Sequence, residues 1–531
     1  MPRQILIAAL LLGACKKEPE DPFSETSFSW EVADMYGVPN LDDDNKNDSR
    51  DWLEDARHED DDDLVVWELP GELAEAINGG HTLTVTLSGN TEKIRLWSGT
   101  QIVLNEETLS LTMSGAVLPD LALEFGDFVA SGTLALVQTD TFGAEVLSQE
   151  VRLQGAPLIL NHHMLPVEKA YGVTDYPYNE DMMTAIGDVM GASFKTDNAR
   201  DYQYDVWVQD EFETATLTAP SGRIDVVIDS IRSEGYGLDD FPEDVVAKRT
   251  DYLVRTWGSG LPSSQDSFGN LETSPPVEVD GVSYPFGRIY YGELFGQGPT
   301  DKLINVLEEQ KVQDPFSLDI SWLCVGHVDE FITFLPDPSA PKGFRMYVGD
   351  AAEGLAFIDG LDPSHELPRY ESGHEFATVG EMQNDDALRA LNEDYQRYSI
   401  DPNVDTLKAE LGLDDSDIVR IPALYEEQAY CGPYGLALIP GTVNMLVVTQ
   451  DDGTVDAFLP DPFMRGDGVP VEDDPFVQAV NPMLPEGVTP HWVDDWNTYH
   501  LMWGEVHCGT NTTRTPEASW WLDAMHLLDT E

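Results

Sequence analysis

Ser321-Trp322-Leu323-Cys324-Val325-Gly326-His327-Val328-Asp329-Glu330-Phe331 places a thiol, an imidazole and two carboxylates in one short stretch. His327 and Asp329 stand two residues apart, so in an extended chain both side chains point the same way and converge on one ligand. A satisfied structural His-Asp pair gives the same pattern, so the choice depends on what else the chain carries. Trp207-Val208-Gln209-Asp210-Glu211-Phe212-Glu213 reads as a strand with Gln209, Glu211 and Glu213 on one face and Asp210 on the other. Such a segment holds a metal on one side and a cationic substrate on the other, although Trp207 then falls on the metal side. An exposed acidic strand edge is the alternative. In Tyr499-His500-Leu501-Met502-Trp503-Gly504-Glu505-Val506-His507-Cys508-Gly509-Thr510-Asn511 the cysteine precedes a glycine and two polar residues, which suits a thiol displayed at a turn.

Around these stretches lies a very acidic chain. Its 531 residues carry 98 Asp and Glu against 29 Lys and Arg, a net charge of −69, which excludes nucleic acid as a partner. The charge favours divalent metals or substrates bearing Arg or Lys; a solvated acidic surface suited to salty surroundings explains it equally well. A hydrophobic content of 41% excludes a wholly disordered chain, and the length allows two to four domains. Arg3, the apolar residues 5–12 and Leu12-Gly13-Ala14-Cys15 read as a bacterial export signal ending in a lipoprotein processing box. On that reading residues 1–14 are removed, Cys15 is lipidated, residues 15–27 form a tether, and the mature protein is anchored at the cell envelope or surface without spanning a membrane. A plain signal peptide with an incidental cysteine is the alternative. The remaining Cys324, Cys431 and Cys508 are odd in number and sparse, so no disulfide framework is expected; each is either a buried apolar filler or a nucleophile.

Counting Asn40 as position one, Asp42, Asp44, Asp48 and Asp51 fall at positions three, five, nine and twelve, close to the ligand rhythm of a calcium loop, with Asn45 where such loops have glycine. Residues 64–160 alternate in short runs, among them Thr82-Leu83-Thr84-Val85-Thr86-Leu87 and Thr133-Leu134-Ala135-Leu136-Val137, and read as an antiparallel sandwich of Ig-like size within a domain of residues 28–160. Residues 161–531 mix helical windows such as 405–411, stopped at Gly412, with strands such as 443–448, and read as one large α/β domain of catalytic size without a tandem repeat of fixed period.

Taken together, the Trp-Val-Gln-Asp-Glu segment, Val325-Gly326-His327-Val328-Asp329-Glu330-Phe331 and Gly504-Glu505-Val506-His507-Cys508-Gly509-Thr510-Asn511 resemble the signature segments of the protein-arginine deiminases, in the same order and with similar wide spacing. Asp266-Ser267-Phe268-Gly269-Asn270-Leu271-Glu272, Lys342-Gly343-Phe344-Arg345, Leu411-Gly412-Leu413 running to Ile421-Pro422, and Val443-Asn444-Met445-Leu446-Val447 extend the resemblance over nearly all of the second part. It implies an α/β propeller of the pentein type, with five pseudo-repeated blades, preceded here by one all-β Ig-like domain. It implies that Asp210 and Asp329 grip the guanidinium of an arginine, that Trp207 and Val325 sandwich its stem, that Cys508 is the nucleophile and that His327 stands opposite.

The resemblance also implies calcium (Ca²⁺) as cofactor. One ion would be held by Gln209, Glu213, Glu272 and the carbonyls of Phe268 and Leu271, and a second by Glu211, Asp229, Ser230 and Ser233, the last standing where the family usually has Asn; all are the hard oxygen donors calcium takes. Arg232 is retained for binding the substrate peptide, whereas Glu234 and Met502 replace arginines of the family, so different peptides, chain termini and smaller guanidino compounds stay open as substrates. Cys324 is expected to be a packed residue, and Cys431 has no readable role. The implied activity is calcium-dependent hydrolysis of arginine in proteins or peptides to citrulline and ammonia through a covalent Cys508 thiouronium. Deimination of free arginine or agmatine is one alternative, and a non-catalytic calcium-binding surface lipoprotein is another.

Overall fold

A computed structural model of the chain describes residues 30–42, 50–54, 57, 64–233, 235–247, 252–368, 376–517 and 519–529. The expected signal, Cys15 and the whole of the tether lie outside these residues, as do Asp44, Asp48 and Glu234. The described chain forms two compact units: residues 64–125 and 130–154, with those up to Met35, form the first, and residues 36–63, 126–129 and 155 onward the second.

The first unit is built from two antiparallel sheets. Thr82–Gly89, Ser110–Ser114, Ser131–Thr139 and Glu145–Gly155 pair in one; Leu64–Val66, Leu121–Phe125, Ile94–Ser98 and Gln101–Leu104 pair in the other. The alternation read in the sequence decides which faces are buried: Leu83, Val85 and Leu87 point inward, while Thr84 and Thr112 meet across the outer face. Leu83, Val85, Leu134 and Leu136 of the first sheet share a core with Ile94, Leu96, Leu123 and Phe125 of the second. Burying side chains of this size contributes about 1.5–3 kcal/mol each, which is what holds the two layers together.

In the second unit one strand order recurs in five sheets. The middle strand pairs antiparallel with the first and parallel with the third. It is seen for Phe212–Ala219, Gly222–Asp229 and Tyr252–Thr256; for Leu271–Thr273, Ile289–Glu293 and Phe316–Asp319; and for Ile332–Pro336, Phe344–Asp350 and Ile418–Pro422. Leu446–Thr449, Val455–Pro460 and Val488–Val493 repeat it, and Asn511–Arg514 closes the series by pairing with Val167–Thr174, which pairs in parallel with Phe194–Asn198. A parallel pair needs a crossover, and helices supply several, among them Glu180–Met190, Asp301–Gln310 and Ala351–Gly360. The crossovers differ greatly in length, so the sequence shows no fixed period although the motif recurs.

Several local expectations are met and others corrected. The window at 405–411 is the end of the helix Asp401–Leu411, stopped by Gly412 at φ 61°, a left-handed conformation that glycine adopts without a Cβ clash. The strand expected over 443–448 begins only at Leu446. The strand expected over 209–213 is instead the helical turn Val208–Glu211, with the strand starting at Phe212. Helical spacing therefore replaces the expected division into two faces. His327 and Asp329 are not extended neighbours either: His327 precedes a 3₁₀ turn, Val328–Glu330, and its backbone N–H, like that of Gly326, donates to Glu330 Oε1.

Of the proposed N-terminal calcium loop, Asn40, Asp42 and Asp51 are described. Asp42 and Asp51 are buried, and the Asp51 N–H donates to the Asp42 carbonyl at 3.0 Å. Among the described residues no helix is long and apolar enough to cross a membrane.

Candidate active site

Each of the five repeated sheets is entered through a short turn, and four of those turns carry a polar or reactive side chain while the fifth carries a glycine. Asp210 precedes Phe212–Ala219, Gly269 precedes Leu271–Thr273, Asp329 precedes Ile332–Pro336, Asn444 precedes Leu446–Thr449, and Cys508 precedes Asn511–Arg514. Equivalent positions of a repeated motif thus bring together residues about 300 apart in sequence.

The four residues expected to be catalytic do meet. Cys508 Sγ lies 3.5 Å from Asp329 Oδ2, and His327 Nδ1 lies 3.4 Å from Asp210 Oδ1. His327 Nε2 is 3.0 Å from the Ser264 carbonyl, which can only accept, so this bond fixes the proton on Nε2 and turns Nδ1 toward Asp210. Asp210 and Asp329 are both buried, and each keeps one buried carboxylate oxygen, Oδ1, without a hydrogen-bond partner. Burial pushes the Asp210 carboxyl up, partly offset by His327 and Arg232. It also pushes the Cys508 thiol well up, and Asp329 and Asp210 add to the rise. A nucleophile between two acids is electrostatically disfavoured unless a cation joins it.

Gly269 sits among these groups. A Cβ built on it would lie 2.8 Å from His327 Nδ1, 3.0 Å from Asp210 Oδ1 and 3.1 Å from Asp329 Oδ2. Gly269→Ala is accordingly expected to displace all three and to lower kcat/KM by about 10²-fold, the scale of an ångström-sized misplacement of reacting groups. Steady-state kinetics of the variant checks this; wild-type activity would show that the three groups do not act together.

Trp207 is half-buried, meets Tyr499 edge-on at 5.7 Å and covers Gly504, where a Cβ would lie 2.5 Å from its ring. Val325 is half-buried, and its carbonyl accepts from Ser264 Oγ at 2.6 Å. Arg232 is tied to Glu211 at 3.0 Å and Asp205 at 3.2 Å. Met502 accepts a contact from the Tyr176 hydroxyl at 3.3 Å. Beside Cys508 opens a cavity of about 80 Å³, lined also by Asn444, Trp503, Gly504, Glu330 and Glu505.

The expected oxygen donors gather in two groups. Gln209 Nε2 reaches Glu213 Oε2 at 3.2 Å and the Phe268 carbonyl at 3.3 Å, and Leu271 and Glu272 follow directly in the chain. Glu272 Oε1 is buried with no hydrogen-bond partner. Burial pushes Glu213 up to about 8, and burial with the charge of Glu213 pushes Glu272 well up. In the second group the Ser230 N–H donates to the Glu211 carbonyl at 2.9 Å, while Glu211 Oε1 and Asp229 Oδ1 are buried without partners. Burial pushes Glu211 up to about 8, against the pull of Arg232 and a bond from Ser233, and pushes Asp229 up to about 7. Ser230 Oγ is committed to the Asp266 carbonyl at 2.7 Å. Buried carboxylates with orphaned oxygens in both groups fit a hard divalent cation.

Three contributors carried no role in the sequence. Asn444 brackets Cys508: its Nδ2 donates to Sγ at 3.2 Å, and its Oδ1 accepts from the Cys508 N–H at 3.2 Å. Ser264 orients His327, and His507 Nδ1 bonds Asp329 Oδ2 at 2.9 Å. Asn444 and His507 lie inside segments that carry the family resemblance, which was the available signal; Ser264 had none.

One expectation is overturned. Cys324 is not a packed thiol: it forms a disulfide with Cys431, with Cα atoms 5.6 Å apart, and Cys508 is the free cysteine among the described residues. The pair is 107 residues apart, a separation from which no pairing could be read. It ties the turn before Val325 to the hairpin end at Gly435, whose carbonyl accepts from the Cys324 N–H at 3.0 Å.

Glu330 and Glu505, beside the thiol, are both pushed up to about 8 by burial. A carboxyl raised in the folded state binds more protons there than when unfolded, so its stabilising contribution is full below the ordinary carboxylate range and is lost as pH rises toward 8. Thermal denaturation of chelator-treated protein is expected to show stability falling across that window, with a shallower fall in Glu505→Gln; an unchanged slope in the variant would contradict the assignment.

Comparison with known proteins agrees with this arrangement. The sequence model of the protein-arginine deiminase (PAD) family matches residues 145–522. Human protein-arginine deiminase type-1 is 37% identical over 337 residues, covering 60% of this chain and 47% of the relative. Human protein-arginine deiminase type-4 is 32% identical over 419 residues, covering 76% and 61%. The chain thus spans about half to three-fifths of the length of these relatives. A solved C. jejuni agmatine deiminase aligns over 68% of this chain and 98% of its own at 11% identity, with a TM-score of 0.39. Because the family match begins before Asp210, ends after Cys508 and takes in every residue gathered around the thiol, the chain belongs to the protein-arginine deiminase family.

Proposed function

We propose that the chain hydrolyses the guanidinium of arginine held in proteins or peptides, giving citrulline and ammonia. The observation that carries this is the pair of buried carboxylates Asp210 and Asp329 near a buried thiol, each with an Oδ1 that makes no hydrogen bond. A guanidinium is a planar cation whose forked N–H donors suit two carboxylates, and its charge relieves the repulsion that keeps Cys508 protonated. Trp207 and Val325 would flank the aliphatic stem, and the five repeated sheets would be the blades of a pentein propeller, with the first unit as its Ig-like neighbour.

In the first step the Cys508 thiol gives up its proton to solvent as the guanidinium binds, Sγ attacks the guanidinium carbon and a C–S bond forms. His327 delivers a proton from Nδ1 to the departing nitrogen, the C–N bond breaks and ammonia leaves. A thiouronium remains on Cys508. His327, now neutral at Nδ1, takes a proton from water as the C–O bond forms; the C–S bond then breaks, the hydroxyl proton of the adduct passes to the departing sulfur, and citrulline leaves with the Cys508 thiol restored. The product is neutral, so Asp210 and Asp329 hold it less well than the substrate. Asn444, donating to Sγ and accepting from the Cys508 N–H, holds the sulfur in place throughout.

Calcium fits the two carboxylate groups. Gln209, Glu213, Glu272 and the Phe268 and Leu271 carbonyls would hold one ion; Glu211, Asp229, Ser230 and Ser233 would hold another. Held by these residues, calcium would offset the charge of the buried acids and steady the turn that carries Trp207 and Asp210, without entering the chemistry. The N-terminal loop of Asn40, Asp42, Asp44, Asp48 and Asp51 is proposed as a further calcium site, and Cys15 as the lipidated anchor of an exported bacterial protein at the cell envelope or surface.

The test compares ammonia release from a blocked arginine amide with release from free arginine or agmatine, with calcium and then with chelator. Preference for the blocked amide and loss of activity in chelator are expected. Equal or greater activity on the small guanidines would favour the free-substrate alternative, and no turnover despite calcium-dependent stabilisation would favour a binding protein.

A further inference from the structure

We infer that His163, Glu272 and His507 form a binding site for a divalent transition-metal ion of borderline softness, of which Zn²⁺ is the representative. His163 Nε2 lies 3.7 Å from Glu272 Oε2, and His507 Nε2 lies 3.7 Å from Glu272 Oε1. One donor atom from each residue falls within 4.8 Å of the other two. The two 3.7 Å separations, each to a different Glu272 oxygen, are too long for hydrogen bonds and lie near the roughly 3.3–3.6 Å between donors of a tetrahedral ion with ligands about 2.0–2.2 Å away, so that a small inward movement of the three side chains closes the set. Two imidazole nitrogens and one carboxylate are a set that Zn²⁺ takes and that calcium, an oxygen seeker, does not prefer.

Two further observations point to a cation. Glu272 is 6% exposed, and its Oε1 has no hydrogen-bond partner. Arg514, the neighbouring positive group, spends its donors elsewhere: on the carbonyls of His163, Leu165 and Val447 and on the Thr512 hydroxyl. Each imidazole is also oriented from its far side. His507 Nδ1 bonds the Asp329 carboxylate at 2.9 Å, and His163 Nδ1 meets the Thr333 hydroxyl at 3.3 Å, which leaves both Nε2 atoms toward Glu272. A carboxylate or hydroxyl behind a ligating histidine is the arrangement that fixes its tautomer and raises its basicity in metal sites.

The ion has a consequence for the reaction, which rests on the function proposed above. Glu272 belongs to both the Zn²⁺ set and the first calcium set, so the two ions exclude each other, and His507, once ligated, is tied while it holds Asp329. Zn²⁺ therefore acts as an antagonist of calcium activation.

The test uses the full chain, stripped with chelator and titrated with Zn²⁺ by calorimetry in the absence of calcium, beside His163→Gln and His507→Gln. The wild type is expected to bind one equivalent that both variants bind about tenfold or more weakly. The Co²⁺ form is expected to show the visible absorption of a four- or five-coordinate ion, lost in the variants. Should either variant fail to fold, Thr333→Val, which removes only the outer hydroxyl, is expected to weaken Zn²⁺ by about tenfold. Equal stoichiometry and affinity in all folded variants would overturn the site. Zn²⁺ bound through His163 with no effect on calcium affinity would support the site and overturn the assignment of Glu272 to calcium.

Discussion

Cys508→Ser is expected to lower kcat by on the order of 10⁴-fold or more, while the melting temperature and calcium binding stay close to wild type. The size follows from the proposed role, in which the sulfur makes and breaks the covalent bond to carbon, and no other free thiol lies among the described residues. Serine keeps the shape and can still accept from Asn444, but its hydroxyl is far harder to ionise between Asp210 and Asp329 than a thiol. Release of ammonia from a blocked arginine amide measures the loss. Activity within tenfold of wild type would remove Cys508 as the nucleophile.

Asp329→Asn is expected to cost about 10²- to 10³-fold in kcat/KM, the range seen when one group that stabilises developing charge is removed. The amide preserves size but gives up the charge proposed to grip a guanidinium, and it disturbs the bond to His507 Nδ1. The same change has an opposite effect on the free thiol. Burial is the first cause of the raised Cys508 thiol and the Asp329 charge the second, so neutralising Asp329 moves the thiol back toward its ordinary range. Asp329→Asn should therefore react faster than wild type with a small neutral alkylating agent near neutral pH, while it turns over arginine amide more slowly. A variant slower in both reactions would show that Asp329 acts through packing and not through charge.

Much of this site was legible before any coordinates. Asp210, His327, Asp329 and Cys508 were readable because each sits in a segment of reactive residues whose combination resembles one family, and the buried oxygens of Glu211, Glu213, Asp229 and Glu272 follow the same pattern. The sandwich strands were readable because alternation of Leu and Val with Thr directly encodes a half-buried sheet. What the sequence hid depends on geometry between distant residues. The turn at Val208–Glu211 resembles a strand by composition alone; its tertiary setting, with the Gln209 N–H donating to the Cys508 carbonyl at 3.2 Å, makes it helical. The fivefold recurrence of one sheet order is concealed by crossovers of unequal length. The Cys324–Cys431 pairing spans 107 residues, and His163 and His507, both in turns, meet Glu272 only because distant parts of the chain fold together.

The covalent step can be observed directly. Enzyme mixed with arginine amide and calcium, quenched in acid during turnover and mapped by peptide mass spectrometry, should carry a thiouronium on the peptide containing Cys508. The adduct should form and decay at rates compatible with turnover and be absent from Cys508→Ser. Citrulline production with no adduct on Cys508, continuing in the serine variant, would contradict the account.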